Sequence, residues 1–249
     1  LVGEPTNSLV NSIDIEILMH RDIHFGGSFE TMIEYYQNDG VGVMPDFEIE
    51  EIKKLQNLER EIKQNLSEIY LSEEAKTIIY ESKKIYQDLR DVYLEDTPQP
   101  NAVLVSDLIL TESENPEKEI RALIDKGKEV VPMLINLIAS DSFYDPLYPG
   151  YGRTPVFSAK CLSEIQDERA IIPLFEALGH ENFFTDEEMI QSLASFGDKS
   201  KKFLIKILKH FPISKDNEYA AIALSGFPED EEIAKASLEV LENELVQKQ

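Results

Sequence analysis

The sequence predicts an all-α fold: an α-solenoid of helical hairpins with an additional N-terminal helical region. Three observations carry this expectation. The strict apolar/polar alternation of half-buried strands is nearly absent, whereas apolar residues recur at helical spacing along most of the chain. Glycine and proline are sparse, at 11 and 12 of 249 residues, and tryptophan is absent, a composition that suits helices better than a turn-rich sandwich. The second half of the chain repeats its own pattern, which divides the sequence into an N-terminal region, 1–112, and a repeat region, 113–249.

The N-terminal elements follow in order. "IDIEILMHRDIHF" has a helical apolar period and stops at Gly26-Gly27; Ser28 then caps a second helix, "FETMIEYYQND". "DFEIEEIKKLQNLEREIKQNLSEIYL" sets Phe47, Ile52, Leu55, Leu58, Ile62, Leu66 and Ile69 on one stripe, with Asp46 as its N-cap. "SEEAKTIIYESKKIYQDLRDVYL" does the same through Ala75, Ile78, Ile79, Ile85, Leu89 and Val92, capped by Ser72. Two amphipathic helices with a short break predict a long antiparallel hairpin. "EDTPQP" breaks the pattern at 95–100, and a short apolar helix, "NAVLVSDLIL", follows.

From about residue 116 the segments "KEVVPMLINLI", "ERAIIPLFEAL" and "SKKFLIKILKH" share one apolar rhythm, with Val131, Ile171 and Phe203 in register. Pro132 and Pro173 stand early in their helices, where a missing N–H is tolerated. Each segment follows a shorter helix, and a fourth pair, "NEYAAIALSGF" and "PEDEEIAKASLEVLENEL", completes the set. Four helix pairs at a step of about 30 to 41 residues describe a solenoid. The stretch "GKEVVPMLINLI…TPVFSAKCLSEIQDERAIIPLFEALG", with Asp167, Ala170, Ile171 and Leu174 in a D-x-x-A-I-x-x-L pattern, resembles the short HEAT-like repeats of the phycobilin-lyase type, as in a bacterial HEAT-repeat protein. The resemblance covers roughly 116–245 and implies a fold, not an activity.

Charge narrows the function classes. The chain carries a formal charge of −24. Residues 1–114 hold 9 basic against 24 acidic groups, so the acidity is spread along the chain and is not a tail. Nucleic acid and anionic membrane surfaces both need cations, and neither is expected as a partner. A protein partner with a basic surface fits better. The lone Cys161 excludes an internal disulfide framework and reads as core. With no hydrophobic leader or membrane-length apolar run visible, a cytoplasmic location is expected.

"HRDIHFGG", residues 20–27, is the one concentration of chemistry-bearing side chains. A kinase catalytic loop also begins His-Arg-Asp, but it needs an Asn where this chain has Gly27, and no phosphate loop accompanies it. His20 and His24 stand one helical turn apart, a spacing that chelates zinc or iron, with Asp22 as a third ligand only if the helix end frays. The competing reading is a helix–Gly–Gly–helix corner with histidine at the negative end of the helix dipole. No other cofactor is expected.

A second unusual stretch, "DSFYDPLYPGYGRTP" (141–155), interrupts the repeats. Tyr144, Tyr148, Tyr151 and Arg153 are residue types enriched at binding hot spots, or else they pack the loop onto its neighbours. Two HEAT-repeat enzyme families do not transfer. Deoxyhypusine hydroxylase holds iron through repeated His-Glu pairs, of which only His180-Glu181 is present, and the HEAT-like DNA glycosylases need a cationic aromatic cleft. The expected function is therefore a non-enzymatic protein-interaction scaffold or adaptor. The alternative is a metal- or cofactor-dependent enzyme, or a lyase-type accessory factor, using His20, Asp22 and His24.

Overall fold

Fourteen α-helices and no β-strand lie among the residues that the computed structural model describes, 10–38, 43–180 and 183–242, and the chain is all-α. The helices are α1 (Ser12–His24), α2 (Phe29–Gln37), α3 (Ile49–Ile62), α4 (Leu66–Tyr70), α5 (Glu73–Asp91), α6 (Pro100–Leu110), α7 (Glu117–Lys126), α8 (Val131–Ile138), α9 (Thr154–Ile165), α10 (Ile171–Glu176), α11 (Phe183–Ser195), α12 (Asp198–Leu208), α13 (Lys215–Leu224) and α14 (Glu231–Leu241). Asp39 and residues 243–245, where two predicted helices end, and Glu181 of the His-Glu pair lie outside the described residues. No described helix is long and apolar enough to cross a membrane.

The chain forms two compact units. The first comprises residues 1–98 together with 110–115 and 145–152; the second comprises 99–109, 116–144 and 153–249.

In the first unit α1 is the central helix. Asn11 caps it with a reciprocal bond to Asp14, and Ile17, Leu18, Met19, His20, Arg21 and Ile23 are all buried. A helix buried on every face needs neighbours on every side. It finds them in α3, α4 and α5, each of which packs on α1. The two long helices do not form the predicted hairpin: α3 packs on α2 and α1, and α5 on α1, rather than on one another. The Gly-Gly corner forms as the sequence predicts. Phe25 N and Gly27 N both donate to the Arg21 carbonyl, Gly26 and Gly27 take positive φ of 61° and 80°, and Ser28 accepts from Thr31 N to start α2.

The predicted single helix over 46–71 is two helices. Its first residue is Ile49, not Asp46 or Phe47, and Glu48 occupies the cap without a side-chain bond. It stops at Lys63, which adopts a left-handed φ of 56°, and Asn65 then caps α4 by accepting from Ser67 N. The apolar stripe continues in phase across this break, so periodicity alone could not reveal it. Ile62 and Ile69, on either side, are exposed to 38% and 46%.

The second unit holds α7 to α14. α7, α9, α11 and α13 contact one another in succession; α8 touches α10, and α12 touches α14. Between the predicted helix pairs, α8 packs on α9, α10 on α11, and α12 on α13. Pro132 sits in the first turn of α8. The D-x-x-A-I-x-x-L residues serve one purpose each: Asp167 accepts from Arg169 N to open the turn before α10, while Ala170, Ile171 and Leu174 are buried. Arg169 also donates to the Asp167 carboxylate at 2.9 and 3.0 Å, which holds that carboxyl down at about 2. Cys161 is wholly buried in α9, and burial pushes its thiol up to about 12, so it is core and not a nucleophile.

Candidate functional sites

The hub of "HRDIHFGG" is the arginine. Arg21 is fully buried, and its guanidinium reaches across three stretches of chain. Nε donates to Asp22 Oδ1 at 2.7 Å, Nη1 to Glu59 Oε2 at 2.8 Å, and Nη2 to Ser67 Oγ at 2.8 Å and Asn65 Oδ1 at 3.2 Å. Its plane also lies over Phe29, 4.4 Å from the ring centre. A buried guanidinium is tolerable only when its donors are matched in this way. Asp22, one of the three candidate metal ligands, is therefore turned onto Arg21.

The helix does bring His20 and His24 together, with ring centres 5.2 Å apart. His20 is wholly buried and packs edge-on against Phe47, and neither of its ring nitrogens has a hydrogen-bond partner. Among the described residues, no group of three or more His, Cys, Asp or Glu side chains is arranged to hold a metal ion. Burial disfavours the imidazolium in both rings. It pushes His20 down to about 4. His24 is pushed down to about 3, first by burial and then by the charge of His20, while the Pro146 carbonyl works the other way without closing a hydrogen bond to Nε2. Both are neutral at pH 7.

His24 differs from His20 in having polar company. Its Nδ1 lies 3.1 Å from Tyr86 Oη, and its ring sits 5.0 Å from that of Tyr151. Burial raises both phenols, Tyr86 to about 12 and Tyr151 further, and the two hydroxyls interact with each other. A protonated Tyr86 can donate to Nδ1 of the neutral ring while accepting from Tyr151. Tyr151 Oη also lies 3.4 Å from Glu112 Oε1. These groups line a cavity of about 400 Å³ within the first unit, closed by Lys83 and Arg90 from α5 and by the apolar Ile23 and Leu110.

The other predicted binding residues face inward in varying degree. Tyr148 is buried and donates to Glu81 Oε2 at 3.0 Å, anchoring its segment to α5 in the first unit. Ser82 on the same helix donates to the Leu147 carbonyl at 2.8 Å. Tyr144 belongs to the second unit, where its hydroxyl donates to the Ile138 carbonyl at 2.8 Å and its ring stacks on His180 at 4.0 Å. Arg153 lies over Phe157 at 5.3 Å. All four side chains thus have neighbours within the protein, and Tyr151 also lines the cavity.

Two features were not anticipated from the sequence. Lys83, Tyr86 and Arg90 share a face of α5 at i, i+3 and i+7, a pattern that is visible in the sequence but lies beside the apolar stripe and reads as ordinary solvated surface. In the second unit, a groove of about 400 Å³ opens between α10, α12 and α13. Phe175 and Phe203 meet edge to face at 5.6 Å along it, Ile172 stands 52% exposed at its side, and Glu176 and Asp216 flank it. Neither carboxylate has a cationic partner among the described residues.

Comparison with protein-family models, with curated proteins and with solved structures returns no match for this chain.

Proposed function

We propose that the chain is a non-enzymatic interaction protein whose second unit is a HEAT-like α-solenoid that binds a basic, amphipathic segment of a partner protein. The observation that carries this reading is the groove of the second unit. It joins the exposed Ile172 and the half-buried Phe203, which packs on the buried Phe175, to two carboxylates without cationic partners. An apolar patch rimmed by charge marks an interaction surface, and the sign of the rim selects a partner carrying lysine or arginine. The overall charge of −24 would speed such an encounter. Support for the solenoid comes from the succession of contacts α7–α9–α11–α13 and from the capping Asp167 with the buried Ala170, Ile171 and Leu174.

The test is a peptide array probed with the full chain. Peptides with leucine and lysine at helical spacing should bind, and their glutamate counterparts should not. Binding should weaken as salt rises, and by at least about tenfold in Glu176→Lys/Asp216→Lys, the loss of two favourable charge contacts. Selection of acidic peptides, or binding indifferent to both salt and the double substitution, would sink the reading.

A further inference from the structure

The cavity of the first unit calls for an occupant of a different kind, independent of any partner at the second unit. We infer that it binds a small monocarboxylate with an apolar body, the carboxylate held by Lys83 and Arg90 and the body lying against Tyr86 and Tyr151.

The cations come first. On helices α3 and α5 Lys53 pairs with Glu50, Lys54 with Glu51 and Lys76 with Glu73, each three residues apart. Lys83 and Arg90 have no ion pair among the described residues, although they sit in a half of the chain with an excess of 15 acidic groups. Arg90 is instead drawn over the face of Tyr86, 5.8 Å from the ring centre, which keeps the guanidinium beside the opening. Two cations lining one wall of a concave polar site, in a protein that repels anions elsewhere, are arranged for an anion.

The count of charges sets the valence. Glu112 also lines the cavity, and His24 is neutral, so Lys83, Arg90 and Glu112 leave one net positive charge. A monoanion balances it; a phosphate dianion would meet Glu112 with its second charge uncompensated. The guanidinium fork matches the two oxygens of a carboxylate.

The remaining wall sets the body. Tyr86, Tyr151, Ile23 and Leu110 offer ring faces and aliphatic surface, and about 400 Å³ is within the usual range for small-molecule sites. The Tyr151–Tyr86–His24 chain of polar groups keeps the two phenol rings fixed, so the surface is pre-formed and costs little ordering on binding.

Benzoate is the probe, titrated into the full chain while the His24 and tyrosine ring resonances are followed by NMR. Saturable shifts at His24, Tyr86 and Tyr151 are expected by about 10 mM. Benzylamine, with the same body and the opposite charge, should leave them in place, and inorganic phosphate should bind more weakly than benzoate. Lys83→Gln/Arg90→Gln, at two exposed positions, should keep the helical circular-dichroism spectrum and lose at least tenfold in benzoate affinity, whereas Glu112→Gln should bind several-fold tighter. Benzylamine or phosphate matching benzoate at these resonances would overturn the inference. So would benzoate affinity unchanged in the double variant, or no shift at all with benzoate.

Discussion

Arg21 and Glu59 meet at 2.8 Å with the arginine side chain fully shielded from water, and the same Glu59 oxygen accepts from Leu66 N at 2.9 Å. One carboxylate thus ties the middle of α1 to the start of α4. Replacing Arg21 by Met leaves Glu59, Asn65 and Ser67 without their donor, and the expected loss is about 3 kcal/mol of stability by urea denaturation. Arg21→Lys should lose nearly as much, because one ammonium group cannot serve acceptors on opposite sides of a guanidinium plane. Wild-type stability in Arg21→Lys would show that only the charge matters.

The buried histidines make the protein sensitive to acid in a defined window. Their folded-state values, about 4 and about 3, lie below the ordinary 6.5. The unfolded chain therefore takes up protons first as pH falls, and stability is lost between pH 6.5 and about 4; above 6.5 the contribution is complete. For His20 the loss is on the order of 3 kcal/mol across that window. His20→Leu should flatten the dependence of unfolding free energy on pH there and be as stable as wild type, or more so, at pH 7, since it also removes two unpaired buried nitrogens. Parallel pH profiles for the two proteins would refute this.

Gly179 should not accept a side chain. Its φ is +90°, and an added Cβ would stand 2.2 Å from Tyr219 Oη, beside the groove of the second unit. Gly179→Ala should cost about 1–3 kcal/mol from the backbone alone, with a steric cost besides. Adding Tyr219→Ala should restore part of the loss, a non-additive pair in thermal melts. Strict additivity would mean that the contact does not form.

Lys63 is the converse case. It holds a left-handed φ of 56° at the end of α3 with a Cβ to accommodate. Lys63→Gly should stabilise the protein by about 0.5–1 kcal/mol, visible as a higher melting temperature. A lower one would mean that the lysine side chain contributes more than the strain costs.

Two helix starts and one corner were legible because they depend on neighbours in sequence, whereas the predicted cap Asp46 gives way to Glu48. Ser28, Ser72 and the Gly26-Gly27 pair act as read. The break at Lys63 was not legible, since it is set by a buried arginine 38 to 46 residues away that claims Glu59, Asn65 and Ser67. The same limit hid the cavity. His24 was singled out on its own helix, but its partners Tyr86 and Tyr151 come from 62 residues downstream and beyond, and no local pattern joins them. In "HRDIHFGG" itself, the eye goes to the histidines as ligands, whereas the fold turns on the residue between them.

The first unit draws two short pieces, 110–115 and 145–152, from sequence that otherwise belongs to the second. Those pieces supply Glu112 and Tyr151 to the cavity, the Leu147 carbonyl to Ser82 and Tyr148 to Glu81. No single cut in the gene separates the units intact. A cut at residue 112 would strip the first unit of Tyr151, Tyr148 and the Leu147 carbonyl, so the two units cannot be exchanged as modules at a single junction.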